Sequence, residues 1–75
     1  MTETEFGAAL KAYYARRPFR PFVVEFVSGE SLTVAHPDCV ARRNALYFFR
    51  GAGGLQCLFA ASSVCRLFDY LPLKR

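Results

Sequence analysis

The spacing of apolar residues changes once along this chain. The break falls at Arg17-Pro18-Phe19-Arg20-Pro21-Phe22 and divides a helix-forming segment from a strand-forming one. Before it, Phe6, Ala9, Leu10, Tyr13 and Tyr14 recur at intervals of three and four, the one-sided stripe of an amphipathic helix. Thr2 and Glu5 stand where a capping box needs them, the hydroxyl accepting from a first-turn amide and the carboxylate reaching back. A helix is therefore predicted over residues 3–16. It must end before Pro18, whose ring pushes Arg17 out of the α region. Pro18 and Pro21 then hold residues 17–21 extended, and Phe19 and Phe22 can anchor that linker against the strand-forming segment.

After Pro21 the period falls to two. Phe22, Val24 and Phe26 share a face opposite Glu25, Ser28-Gly29-Glu30 reverses the chain, and Leu32 and Val34 return on the core side with Ser31 and Thr33 outside. This pattern is a hairpin. His36-Pro37-Asp38 interrupts it, since Pro37 cannot donate to a ladder and Asp38 caps tight turns. A short extended piece, Cys39 to Ala41, precedes Arg42-Arg43-Asn44. Ala45 to Arg50, Leu55 to Ala60 and Ser63 to Phe68 then read as the third, fourth and fifth strands, with a Gly-rich turn at 51–54 and a tail from Asp69. The expected fold is mainly β with one N-terminal helix. In it, residues 22–68 form a small five-stranded, strongly bent antiparallel barrel similar to Sm-like and SH3-like domains, in a single domain spanning 1–75. Phe22, Val24, Leu32 and Leu67 are its expected core residues.

Composition adds a partner to this picture. A 75-residue chain buries only about 60% of its unfolded surface, yet 53% of these residues are hydrophobic, 16% aromatic and only 21% charged. Some apolar surface should be shared with a second copy, and the open edges of a small barrel offer a route, so a homo-oligomer is predicted. No apolar run approaches the roughly 20 residues of a membrane span. The acidic start Met-Thr-Glu-Thr-Glu leads into no signal-peptide core, and a cytoplasmic protein without membrane contacts is expected. Cys39, Cys57 and Cys65 are odd in number and irregularly spaced, which favours reduced thiols over a disulfide frame. With His36 they make four potential zinc ligands, but Cys57 and Cys65 are separated by seven residues instead of forming a tight pair, so no metal is predicted.

The chain offers little for catalysis. Gly51-Ala52-Gly53-Gly54 leads into a strand, whereas a phosphate cradle leads into a helix. His36 beside Asp38 is the sole histidine, no serine or cysteine sits at a nucleophile turn, and no acidic pair calls for acid and base work. No enzyme, cofactor or small-molecule substrate is predicted. The net charge is +4, with Lys11, Arg16, Arg17 and Arg20 around the linker, Arg42, Arg43 and Arg50 around the third strand, and Lys74 and Arg75 in the tail. Arginine forks bind phosphates and stack on bases. If Tyr47 and Phe49 face away from Leu46 and Phe48, their rings could form an exposed stacking platform beside Arg43 and Arg50. The candidate contacts to single-stranded RNA are thus Arg42, Arg43, Arg50, Tyr47, Phe49, Arg17 and Arg20. The plainer reading is that Arg16 and Arg17 complement the helix C-terminus while the other arginines are solvated or make subunit contacts.

The segments Arg17-Pro18-Phe19-Arg20-Pro21-Phe22, Ser28-Gly29-Glu30 and Val34-Ala35-His36-Pro37-Asp38 together resemble a family of short uncharacterised bacterial proteins abundant in planctomycetes. That family shows Arg-Pro-Phe-x-Pro-Phe, a strand, an acidic-Gly-basic turn and Val-x-His-Pro-(Asp/Glu). The resemblance covers residues 5–68, implies no activity, and lacks the basic turn residue, since Glu30 stands in its place. The residues support two functions. The preferred one is a non-catalytic assembly or adaptor module that forms homo-oligomers; the alternative is a small oligomeric Sm-like RNA-binding protein. Salt separates them, because phosphate contacts weaken steeply with ionic strength and apolar contacts do not.

Overall fold

A computed structural model describes residues 1–51, 54 and 56–70. Helix α1 runs over Glu3–Tyr14, two residues shorter than the periodicity predicts. Its capping box forms as expected: the Glu5 amide donates to Thr2 Oγ1 at 3.1 Å and the Thr2 amide donates to Glu5 Oε1 at 2.9 Å. Phe6 and Leu10 are buried, while Tyr13 and Tyr14 at the last turn are half-buried. The Arg17–Pro18 peptide is cis. Phe19 and Phe22 anchor the linker within the chain, against Tyr14 and each other, and Tyr13 stacks on Phe22 at 4.6 Å.

Six strands come after the linker: β1 (Phe22–Phe26), β2 (Ser31–Val34), β3 (Val40–Arg43), β4 (Leu46–Arg50), β5 (Gln56–Ala60) and β6 (Val64–Asp69). They form two antiparallel three-stranded sheets, ordered β2-β1-β6 and β3-β4-β5. This corrects the expected five-stranded barrel. The piece expected at Cys39–Ala41 is a full strand, β3, which starts one residue later, takes in Arg42 and Arg43, and pairs with β4 from Val40↔Phe49 to Arg43↔Leu46. The two sheets do not close into a barrel, because the 3-10 turns Pro37–Cys39 and Ala61–Ser63 take the chain from one sheet to the other, and no ladder joins the sheets among the described residues. Proline explains the first turn: Pro37 occupies its first position and cannot continue the ladder of β2.

The predicted hairpin of β1 and β2 is present, in register from Phe22↔Val34 to Glu25↔Ser31. Its loop is a type I turn with a bulge: Gly29 donates to the Phe26 carbonyl at 2.9 Å, and Phe26 donates to the Glu30 carbonyl at 2.8 Å. Gly29 sits at φ +97°, a region that a side chain strongly disfavours. The core lies between the two sheets and beneath α1. Phe22, Val24, Val34 and Val64 come from the first sheet and Tyr47, Phe49 and Phe59 from the second, with Phe6 and Leu10 from the helix. Phe6 joins the helix to the second sheet, meeting Tyr47 edge-on at 4.7 Å and Phe59 at 5.8 Å. Leu32 and Leu67, expected in the core, pack against it only half-buried. Asp69, expected to begin the tail, ends β6 opposite Phe22, and the amide of Tyr70 donates to Pro21. The rest of the expected tail and much of the Gly-rich turn lie outside the described residues.

Candidate functional site

The alternation of β4 decides what this protein presents. Tyr47 and Phe49 are 3% and 2% exposed and point into the core, so the stacking platform expected from them does not exist. The two do face away from Leu46 and Phe48, but inward. Tyr47 instead stacks on Phe59 at 5.8 Å. The outer face of the second sheet carries the apolar side chains Leu46 and Phe48 of β4, Ala41 of β3, and Leu58 and Ala60 of β5. The register aligns them in rows, Arg43–Leu46–Ala60 and Ala41–Phe48–Leu58, then the pair Arg50–Gln56. Leu58 is 61% exposed and Leu46 42%. This face is an apolar strip with an arginine near each end.

The sequence carried a signal for this phase. Residues 46–49 are all apolar and show no alternation, but Arg50 closes the strand, and a residue that must stay in water fixes the even positions as the outer ones.

The predicted basic contacts do not converge. Arg42 lies on the inner side of β3 at its end, where its guanidinium pairs with Glu3 of α1 at 2.9 Å and donates to the Asn44 carbonyl at 2.9 Å. Arg17 donates to the carbonyls of Tyr14 and Arg16 and so closes the end of α1, as the plainer reading expects. Arg16 pairs with Asp69 at 2.6 Å, donates to the Arg20 carbonyl and lies over the Tyr13 ring. Among the described residues, the side chains of Arg20, Arg43 and Arg50 form no ion pair. Arg43 and Arg50 belong to the outer face of the second sheet, where Arg50 lies 5.8 Å from the centre of the Phe48 ring. Arg66 and Glu25 are direct cross-strand partners in the first sheet and form the third ion pair.

A second feature is a groove of about 830 Å³ beside β2, an edge strand that pairs only with β1 among the described residues. Ser31, Leu32, Thr33 and Ala35 form one wall, Phe49 and Arg50 the other, and the turn carrying His36 and Asp38 closes it. Nearby, the Tyr14 phenol is pushed up to about 12, chiefly by burial and further by the charges at Cys39 and Asp38, against an opposing contact with the Val40 backbone. Its hydroxyl has no well-formed hydrogen bond among the described residues. Cys39, Cys57 and Cys65 are free thiols. Among the described residues no three His, Cys, Asp or Glu side chains gather as a metal site, and no helix is long and apolar enough to cross a membrane.

No protein-family model matches the chain, and neither the curated proteins nor the solved structures contain a significantly similar one.

Proposed function

We propose that this protein is a non-catalytic assembly module whose outer β3-β4-β5 face packs against the same face of a second copy. The observation that carries the reading is the uncharged row Ala41–Phe48–Leu58 across all three strands, with Leu58 61% exposed on the edge strand. In a two-fold contact these rows meet at the centre, while Arg43 and Arg50, at opposite ends of the strip, stay in the solvated rim. That arrangement matches the general anatomy of interfaces, with an apolar core and a charged border. Three strands about 4.8 Å apart and five residues of about 3.3 Å each outline a face of only a few hundred Å², below the roughly 800 Å² per partner of a stable complex. The association should therefore be weak and concentration-dependent unless further contacts join it.

Light scattering coupled to size exclusion, over a protein series from micromolar to millimolar, tests this. The mass should rise with concentration, persist in high salt, and revert to the monomer in Leu58→Lys, which alters an exposed side chain. A monomer throughout sinks the proposal. Nucleic acid that co-purifies at low salt, is released at high salt, and is lost on charge reversal of Arg43 and Arg50 would favour RNA binding instead.

A further inference from the structure

Between Asp38 and Asp69 the chain holds no carboxylate and four arginines, Arg42, Arg43, Arg50 and Arg66. Two of these find acids from elsewhere in the chain: Arg42 pairs with Glu3 of α1 at 2.9 Å, and Arg66 pairs with Glu25 of β1. Arg43 and Arg50 form no ion pair among the described residues, and the ladders place both on the assembly face. The other side chains of that face are Ala41, Leu46, Phe48, Gln56, Leu58 and Ala60, none of them acidic. A contact between two copies of one surface can supply only what that surface holds. Each copy therefore brings guanidinium groups to the border of the contact, and neither brings a carboxylate to meet them.

Symmetry brings these groups together. A two-fold axis between the faces runs either along the strands or across them. Along the strands, β4 lies on β4 of the second copy, and Arg50 meets its own counterpart. Across the strands, through the row Ala41–Phe48–Leu58, the second copy is reversed end to end. Arg43 and Arg50 lie two residues to either side of that row, so the reversal sets Arg43 of the second copy beside Arg50, one strand spacing of about 4.8 Å to the side. In both arrangements Arg50 shares a border with a guanidinium of the other copy. Like charges so placed repel, and the apolar strip beside them screens the repulsion less than open water does.

We propose that a small dianion of the phosphate class links the two copies, accepting hydrogen bonds from Arg50 of one and from Arg50 or Arg43 of the other. This inference rests on the assembly reading and gives the same face a ligand. Two cations call for two negative charges, which chloride and a single carboxylate lack, and the planar guanidinium fork matches phosphate oxygens in pairs. Arg50 lies 5.8 Å from the centre of the Phe48 ring, which keeps its guanidinium close to the strip where the copies meet. The bound dianion cancels the repulsion, so assembly depends on which anion is present as well as on ionic strength.

Light scattering over a protein concentration series compares millimolar inorganic phosphate with chloride at matched ionic strength, at a pH where phosphate is doubly charged. Phosphate should tighten the association about ten-fold, the worth of one charge-assisted hydrogen bond at an exposed site. Arg50→Gln changes an exposed side chain. It should associate at least as well as the wild type in chloride and lose the response to phosphate. Leu58→Lys should stay monomeric in both salts. Equal association of the wild type in the two salts overturns the dianion and leaves the assembly reading in place. So does a phosphate response kept by Arg50→Gln, the mark of general salting-out, or one shown by Leu58→Lys. A short oligouridylate that drives association where phosphate does not also overturns it, since the anion is then a nucleic-acid chain. A monomer in both salts up to millimolar protein overturns the assembly reading and the dianion together, whereas association in phosphate alone supports both.

Discussion

Tyr47 and Phe48 are adjacent in sequence but should respond very differently to the same truncation. Tyr47→Ala removes a side chain that is 3% exposed, together with its stack on Phe59 and its edge contact with Phe6. Each aromatic pair is worth about 0.5 to 1.5 kcal/mol beyond area burial, and truncating a buried aromatic side chain costs about 3 to 5 kcal/mol in total. A 75-residue domain holds about 4 to 11 kcal/mol of stability, so this loss consumes much or all of it. Phe48→Ala removes a half-buried ring from the outer face and should cost less than about 1.5 kcal/mol. Urea denaturation monitored by circular dichroism separates them. With a slope of about 1 kcal/mol per molar, Tyr47→Ala should lower the midpoint by about 3 M or abolish the transition, whereas Phe48→Ala shifts it by little more than 1 M. A wild-type midpoint for Tyr47→Ala beside a collapsed Phe48→Ala would show that β4 is paired one residue out of register, since such a slip exchanges the two faces.

Local geometry sets three further outcomes. Thr2→Ala should destabilise the fold by about 1 kcal/mol through loss of the N-cap bond to the Glu5 amide, measured by the same denaturation, while Thr2→Ser retains most of it. Gly29→Ala should cost about 1 to 2 kcal/mol although nothing lies within 4 Å of the added carbon, because at φ +97° the penalty is conformational; a neutral result would mean that the hairpin loop adopts another turn. The neutral Tyr14 phenol is favoured in the folded state, so its contribution is intact below the unfolded value near 10 and is lost as pH rises toward 12. Ultraviolet titration of the folded protein should show a component near pH 12 that vanishes in Tyr14→Phe. That variant should be at least as stable as the parent at neutral pH, since it deletes a hydroxyl that lacks a good partner.

Local interactions were legible in the sequence. The capping box of α1, the anchoring of the linker by Phe19 and Phe22, and the β1-β2 hairpin with its inward Phe22, Val24 and Val34 depend on residues close together in the chain, and each leaves a spacing or a turn that can be read directly. The additional strand, β3, was harder to see. Val40 to Arg43 ends in two arginines and shows no strand alternation, and it becomes a strand because β4 lies alongside to accept its hydrogen bonds. The candidate site shows the same division. That β4 is a strand was plain from its composition, but its four consecutive apolar residues show no alternation, and only the closing Arg50 marks the even positions as outer. Packing against Phe6 and Phe59 draws in Tyr47, Phe49 joins the same core, and Phe48 is left half-buried on the outer face. The arginines obey the same rule, since whether Arg42 meets Glu3 or remains available for a ligand depends on where a helix 39 residues away in the chain comes to rest. The sequence alone thus determined the helix, five of the six strands and the side chains able to bury themselves. The tertiary structure decided that Val40 to Arg43 would pair as a strand and which charges found partners, because both depend on contacts between segments remote in the chain.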